Sequence, residues 1–425
     1  MNNHFIQLGH RHAWGGEQPF GISNRDQRQH LLLLGASGTG KTTAMVNIAT
    51  QLIEAGSGFA LIDPHGDAAK EILDQVPAWR IDHVAYFDAA DREFPISLNP
   101  LASVAPERRH LQSSAIISAF KHIWHESWGP RMEYILAQAL AAAIAAPNTS
   151  LLSIHRMLSD PDYRRQLLRH VEDPLTLHFW RGEFESWDKR FQAEAVAPVI
   201  NKIGRLLLMP TLRNLLGQVW RGLDIRFAMD NQRVVICNLA RGKLGEDASN
   251  LLGALLVSEF QQAALSRADL SESDRPDFLL MIDEFATITS SSFISILAEA
   301  RKYRLGLALA AQTLELVSPE VQSSVLANTA NLCCFRLSEK NAQTLSRSLG
   351  GLYAADTFSG LSDYEMVARV LNDGAMSDPF LARSMPPSRR NHGAAEKIIA
   401  RSRERFSQRQ EIVEDQISRW MKGRS

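Results

Sequence analysis

Eight residues near the start of the chain, Gly35-Ala36-Ser37-Gly38-Thr39-Gly40-Lys41-Thr42, restrict the fold more than any other feature. They fit G-x-x-x-x-G-K-[ST], a loop that cradles phosphate when a buried strand runs into it and a helix leaves it. Both flanks agree. Residues 31–34 are four leucines, the kind of run used by a strand buried on both faces, and 43–54 is helix-forming. Backbone N–H groups and the helix N-terminus would face the anion, Lys41 would reach the β- and γ-phosphates, and the Thr42 hydroxyl could hold Mg²⁺. Gly35, Ser37, Gly38, Thr39, Gly40 and Thr43 complete the expected contact set. The loop therefore predicts an α/β fold with a mostly parallel sheet, and a nucleoside triphosphate as ligand.

A second strand end carries the matching acids. Residues 278–282 are five apolar side chains followed directly by Asp283-Glu284, the Walker B pattern. The first carboxylate is expected to support Mg²⁺ through water and the second to polarise the attacking water. A strand over 305–311 ends at Gln312, at the same sheet edge, where an amide can sense the γ-phosphate. Further strands are expected at 58–62, 84–88, 233–239 and 331–337, with helices over about 248–266, 292–303 and 339–349. The turn Asp63-Pro64-His65-Gly66-Asp67 admits a metal-cluster reading, but a turn beside the nucleotide explains it as well. Arg25, Arg28 and His30, just before the first strand, are candidates for contact with base or phosphates.

Between 105 and 225 the periodicity is helical, with stops at Pro130, Pro147, Pro161, Pro174 and Pro210. Five of the eight tryptophans fall there: Trp124, Trp128, Trp180, Trp187 and Trp220. They are expected mainly as core anchors, with an exposed pair able to stack on bases or on a partner. The predicted organisation is a polar lead-in over 1–30, an α/β domain over 31–104 and 226–384, an inserted all-α domain over 105–225, and a basic helical tail over 385–425. The lead-in contains Trp14, Gly15-Gly16 and three histidines, His4, His10 and His12, which read as surface residues. The tail holds Arg389, Arg390, Lys397, Arg401, Arg403, Arg405 and Arg409, and reads as a solvated helix or a DNA- or partner-docking segment.

A net charge of −1 excludes a globally basic nucleic-acid binder while leaving room for a local basic stripe or ring lumen. Cys237, Cys333 and Cys334 lack zinc-site spacing and read as buried thiols in a reducing compartment. The Ala-rich run 134–146 is shorter than the ~20 residues of a spanning helix, and the first ten residues carry no secretory pattern. A cytoplasmic protein is expected, with any recruitment to the inner membrane arising through partners.

Four motifs in order carry a resemblance to a known family: the Gly-Ala-Ser-Gly-Thr-Gly-Lys-Thr loop, Ile-Asp-Pro-His-Gly-Asp after the second strand, Met-Ile-Asp-Glu-Phe, and Ala-Ala-Gln-Thr. With the helical insertion and Trp128-Gly129-Pro130-Arg131 inside it, the chain resembles the FtsK–HerA superfamily of ring ATPases. Within that superfamily it is similar to the TraG/TraD-type coupling proteins of conjugative type IV secretion. The resemblance implies a RecA-like motor that assembles as a homo-hexamer around DNA and moves it with ATP and Mg²⁺. Relaxosome or secretion-channel proteins would be its partners. By motif position, Lys41 and Thr42 would bind phosphate and Mg²⁺, Asp283 would support the metal, Glu284 would be the catalytic base and Gln312 the sensor. Arg301 would reach a neighbouring subunit's nucleotide, with Arg336 as the second choice. Two other readings stay open: an ATPase of this fold acting on a protein partner or as a HerA-like DNA-processing motor, and a nucleotide-gated scaffold.

Overall fold

The computed structural model describes residues 5–13, 15–220, 222–289, 293–388 and 390–423. His4, Trp14, Arg389 and the expected helix start at 292 lie outside them. The described chain divides into an α/β unit (1–87, 225–240, 260–402) and a helical unit (88–224, 241–259, 403–425).

The α/β unit is built on one sheet. Its strands are β1 (Phe5–Ala13), β2 (Gly16–Ser23), β3 (Leu31–Leu34), β4 (Gly58–Asp63), β5 (Val84–Asp88), β6 (Val234–Asn238), β7 (Phe278–Ile282), β8 (Leu305–Ala311), β9 (Asn331–Cys334) and β10 (Glu365–Arg369). A short pair, β11 (Leu371–Asn372) and β12 (Ala375–Met376), stands apart, and β13 (Phe380–Ser384) rejoins the sheet. Among the described residues the sheet has eleven strands in the order β2-β1-β13-β10-β9-β3-β8-β7-β4-β6-β5. From β9 to β6 the pairings are parallel, while β10, β13, β1 and β2 add on antiparallel. The four leucines of β3 are all buried because this strand lies between β9 and β8 with both faces covered. Helix α1 (Lys41–Glu54) lays Met45, Ile48 and Leu52 into the cluster that holds Leu31, Leu33, Phe59 and Leu61. The α/β class with a mostly parallel sheet is as the loop motif predicts.

Three stretches differ from expectation. Residues 1–30 are not a featureless lead-in: β1 and β2 form an antiparallel ribbon whose Ile6, Leu8, Phe20 and Ile22 enter the core. Strands β10 to β13 also lie where the sequence pattern predicts none. In both places short alternation with charged and histidine side chains weakens the apolar signal. The basic tail is not solvated all round: several of its apolar positions are buried while most of its basic side chains stay exposed. Ile398 is fully buried in the α/β core and the Ser402 hydroxyl accepts from the Tyr86 N–H. In the helical unit Arg403 pairs with Asp91 at 2.7 Å, and the Trp420 carbonyl accepts from Arg156. Several of the tail's arginines thus face carboxylates of this same chain.

The helical unit is assembled from Arg109–Ile123, Pro130–Ala145, Leu151–Ser159, Lys189–Leu208, Gln410–Met421 and shorter pieces. Trp180 is fully buried, its Nε1–H donating to the Gln138 carbonyl, with Arg164 over its ring. Trp124 is more open, stacked on Phe120 and facing the Lys202 ammonium at 5.4 Å. Among the described residues no single helix is long and apolar enough to cross a membrane.

Candidate nucleotide site

The carboxyl ends of β3, β4, β7 and β8 meet at one edge of the sheet, where open parallel sheets place ligands. The loop after β3 is fixed from both sides. Gly35 N–H donates to the Ala311 carbonyl at the end of β8, and Ala36 N–H donates to the Arg336 carbonyl just past β9. Thr39 closes the turn by donating its hydroxyl to the Ala36 carbonyl at 2.8 Å. Gly40 has φ of 119°, and a Cβ there would fall 2.9 Å from the Tyr364 ring, so both conformation and space demand glycine.

The loop and its neighbours enclose a cleft of about 440 Å³, within the usual range for small-molecule sites. Ser37, Gly38, Gly40, Lys41, Thr42 and Thr43 line one side. The buried Lys41 ammonium donates to the Gly35 and Ala36 carbonyls at 2.7 and 2.9 Å. Burial lowers its pKa, while the carboxylates of Glu284 and Asp283 act in the opposite direction.

Asp283, Glu284 and Gln312 line the same cleft. Asp283 is buried, its N–H donates to the Ile62 carbonyl of β4, and its Oδ1 accepts from the Glu284 N–H at 3.0 Å. Burial, with Asp63 and Glu284 nearby, pushes its carboxyl up to about 6. A cation delivered beside it would favour the charged form. Glu284 sits in the left-handed region (φ 48°), and its Oε1 accepts from the Gln312 amide at 2.9 Å. The cleft thus joins a backbone anion cradle, a buried lysine, hydroxyl groups and two acids of different burial. That donor set fits a triphosphate with a divalent cation.

The other candidates lie elsewhere. Asp63 accepts from the N–H groups of His65, Gly66 and Ala69, tying the turn to the first turn of α2 (Asp67–Asp74), whose N-cap residue is Gly66. Among the described residues no group of three His, Cys, Asp or Glu side chains is placed to hold a metal. Arg28 and His30 precede β3 and so occupy the amino edge of the sheet, opposite the loop. Arg28 forms a bidentate pair with Asp277 there. His30 is buried: Nδ1 accepts from Leu307 N–H and Nε2–H donates to the Leu297 carbonyl, both at 3.0 Å. These two residues therefore do not reach a nucleotide in their own cleft. Arg301 donates to Gln29 at that same amino edge, outside its own cleft. Arg336 lies at the carboxyl edge, paired with Asp363 at 2.9 Å. Tyr364 also lines the cleft, and no motif in the sequence singles it out.

Burial holds the His30 imidazole neutral, its pKa lowered to about 4. The unfolded chain binds this proton below pH ~6.5 and the folded one does not, so His30 supports stability above that pH. The support is lost as pH falls toward the folded value. Between pH 7 and 5 this group should remove about 2 kcal/mol. Urea unfolding at both pH values should show a smaller loss for His30→Gln than for the parent; equal losses would refute the assignment.

The fold and site define a class, a RecA-like P-loop ATPase fold. A family model described as "Helicase HerA, central domain" matches residues 15–106. Among solved structures, the bacterial conjugative coupling protein TrwBdeltaN70 superposes with a TM-score of 0.64 at 15% identity, covering 93% of this chain and 91% of that one. TrwB in complex with ADP and Mg²⁺ gives 0.61 at 15%, covering 91% and 97%. VirB4 of Thermoanaerobacter pseudethanolicus gives 0.63 at 14%, covering 90% and 96%. No curated protein sequence matches. The resemblance to FtsK–HerA-type ATPases, including the coupling proteins, stands on these likenesses; what is shared at such identities is the fold.

Proposed function

We propose that the chain is an ATP-driven DNA translocase of the conjugative coupling-protein type, active as a homo-hexamer and using ATP with Mg²⁺. One observation carries the reading: Lys41, Asp283 and the Glu284–Gln312 pair, distant in sequence, converge on one cleft of about 440 Å³, large enough for a nucleotide. Support for the cofactor comes from TrwB, whose structures include complexes with a non-hydrolysable ATP analogue and with ADP and Mg²⁺.

In this reading Gly35 and Ser37 to Thr43 hold the phosphates, Lys41 exchanging its loop carbonyls for phosphate oxygens. Thr42 and Asp283 would hold Mg²⁺, which would supply neutralisation of phosphate charge. Glu284 takes the proton of the attacking water. Gln312, already hydrogen-bonded to Glu284, lies where it can reorient that carboxylate when a γ-phosphate is present. Relaxosome or secretion-channel proteins would deliver the DNA.

The test is ATP hydrolysis over a range of protein concentrations, with and without single- and double-stranded DNA. Activity that rises cooperatively with protein and is stimulated by one form of DNA supports the translocase. Cooperative activity indifferent to DNA would replace it with a protein-directed motor. Because Arg301 faces away from its own cleft, it should act on a neighbour's nucleotide. Arg301→Ala should bind ATP yet turn over at least ~10³-fold more slowly. Mixing it with Glu284→Ala protein should restore part of the rate through mixed interfaces; no restoration would rule out action in trans.

A further inference from the structure

Tyr364 is a bulky residue held in the left-handed region, with φ of 67°. Side chains other than glycine, asparagine and aspartate seldom stay there unless their surroundings hold them, and such outliers gather at ligand sites. Two backbone hydrogen bonds hold this one. Its N–H donates to the Thr39 carbonyl of the phosphate loop at 2.9 Å, and its carbonyl accepts from Ser384 N–H of β13 at 2.8 Å. The ring lies over Gly40 and remains half-buried, with part of it on the cleft. No hydrogen bond to its hydroxyl is present among the described residues.

The strand order assigns an end of the cleft to this ring. Glu284 and Gln312 follow β7 and β8, on one side of β3, and mark where a terminal phosphate meets its water. Tyr364 precedes β10, which pairs with β9 on the other side of β3. A nucleotide seated with its phosphates in the loop therefore directs its nucleoside away from Glu284 and toward Tyr364. We infer that the Tyr364 ring is the platform on which the base or sugar of the bound nucleotide rests. The inference depends on the nucleotide-site reading above and adds to it the recognition of the nucleoside end, which the loop motif leaves unspecified. An aromatic face accepts any base by stacking, so its contribution should be to affinity more than to base choice.

The experiment is isothermal titration calorimetry of the full chain with Mg²⁺, using ATP and inorganic tripolyphosphate as separate ligands. Tyr364→Gly removes the ring and suits the left-handed backbone, so it should fold at least as well as the parent, which thermal unfolding checks. Tyr364→Phe keeps the ring. The expected result is ATP binding weakened about 10-fold in Tyr364→Gly and near the parent value in Tyr364→Phe, with tripolyphosphate binding alike in all three. An equal loss for both ligands would make the ring a brace for the loop and overturn the platform. An unchanged ATP affinity in Tyr364→Gly would overturn it as well. Failure of the parent chain to bind either ligand would defeat the nucleotide site itself, a result distinct from both.

Discussion

Lys41→Ala should reduce ATP affinity by about 100-fold, which is roughly what losing one or two charge-assisted contacts to phosphate costs. The side chain is buried and its ammonium donates to the Gly35 and Ala36 carbonyls. Both are neutral acceptors that a phosphate oxygen outcompetes. The substitution also removes a costly buried cation, so the unfolding temperature without nucleotide should hold or rise slightly. Calorimetry together with thermal unfolding separates the two effects. Binding at the parent affinity would show that the loop after β3 is not the phosphate site.

The second large effect belongs to Glu284→Gln. Its carboxylate is the less buried of the two acids and is oriented by the Gln312 amide. Removing a general base typically costs about 10²–10⁴ in rate. Turnover should fall by about that factor while ATP affinity stays within about threefold, giving a protein that binds and holds nucleotide. Asp283→Asn should differ, weakening Mg²⁺-dependent binding itself because the lost charge lies beside the expected metal position. Steady-state hydrolysis combined with binding of ATP with and without Mg²⁺ distinguishes the two acids. Near-parent turnover in Glu284→Gln would transfer the base role elsewhere.

How much of the fold and of the site is legible in the sequence depends on where the signal resides. The parallel core is legible because strands buried on both faces are uninterrupted apolar runs, such as the leucines of β3 and Phe278–Ile282. Each ends in a chemically distinctive residue, so the juxtaposition of Lys41, Asp283, Glu284 and Gln312 follows from topology. The antiparallel ribbon is not legible. Its strands alternate weakly, and the pairing of β1 with β13 joins residues from opposite ends of the chain. Tyr364 is hidden for a related reason: it enters the site through backbone hydrogen bonds to Thr39 and Ser384, which leave no trace in side-chain pattern. Arg28 and His30 mislead because nearness in sequence to the phosphate loop becomes opposition in space once a strand intervenes.

The ribbon also bears on how the protein is made. In the finished sheet Gly9 lies opposite Ser384. At a synthesis rate of about 5–20 residues per second, β1 therefore waits roughly 20–75 s on the ribosome before its partner exists. During that time the ribbon offers an open edge, that of β1 which β13 later covers, to other nascent chains. Its exposed Arg11, His12 and Glu17 are the charged edge residues that discourage such pairing. β1 is thus made long before it is secured, and yield on expression should be governed by those seconds as much as by the stability of the finished fold.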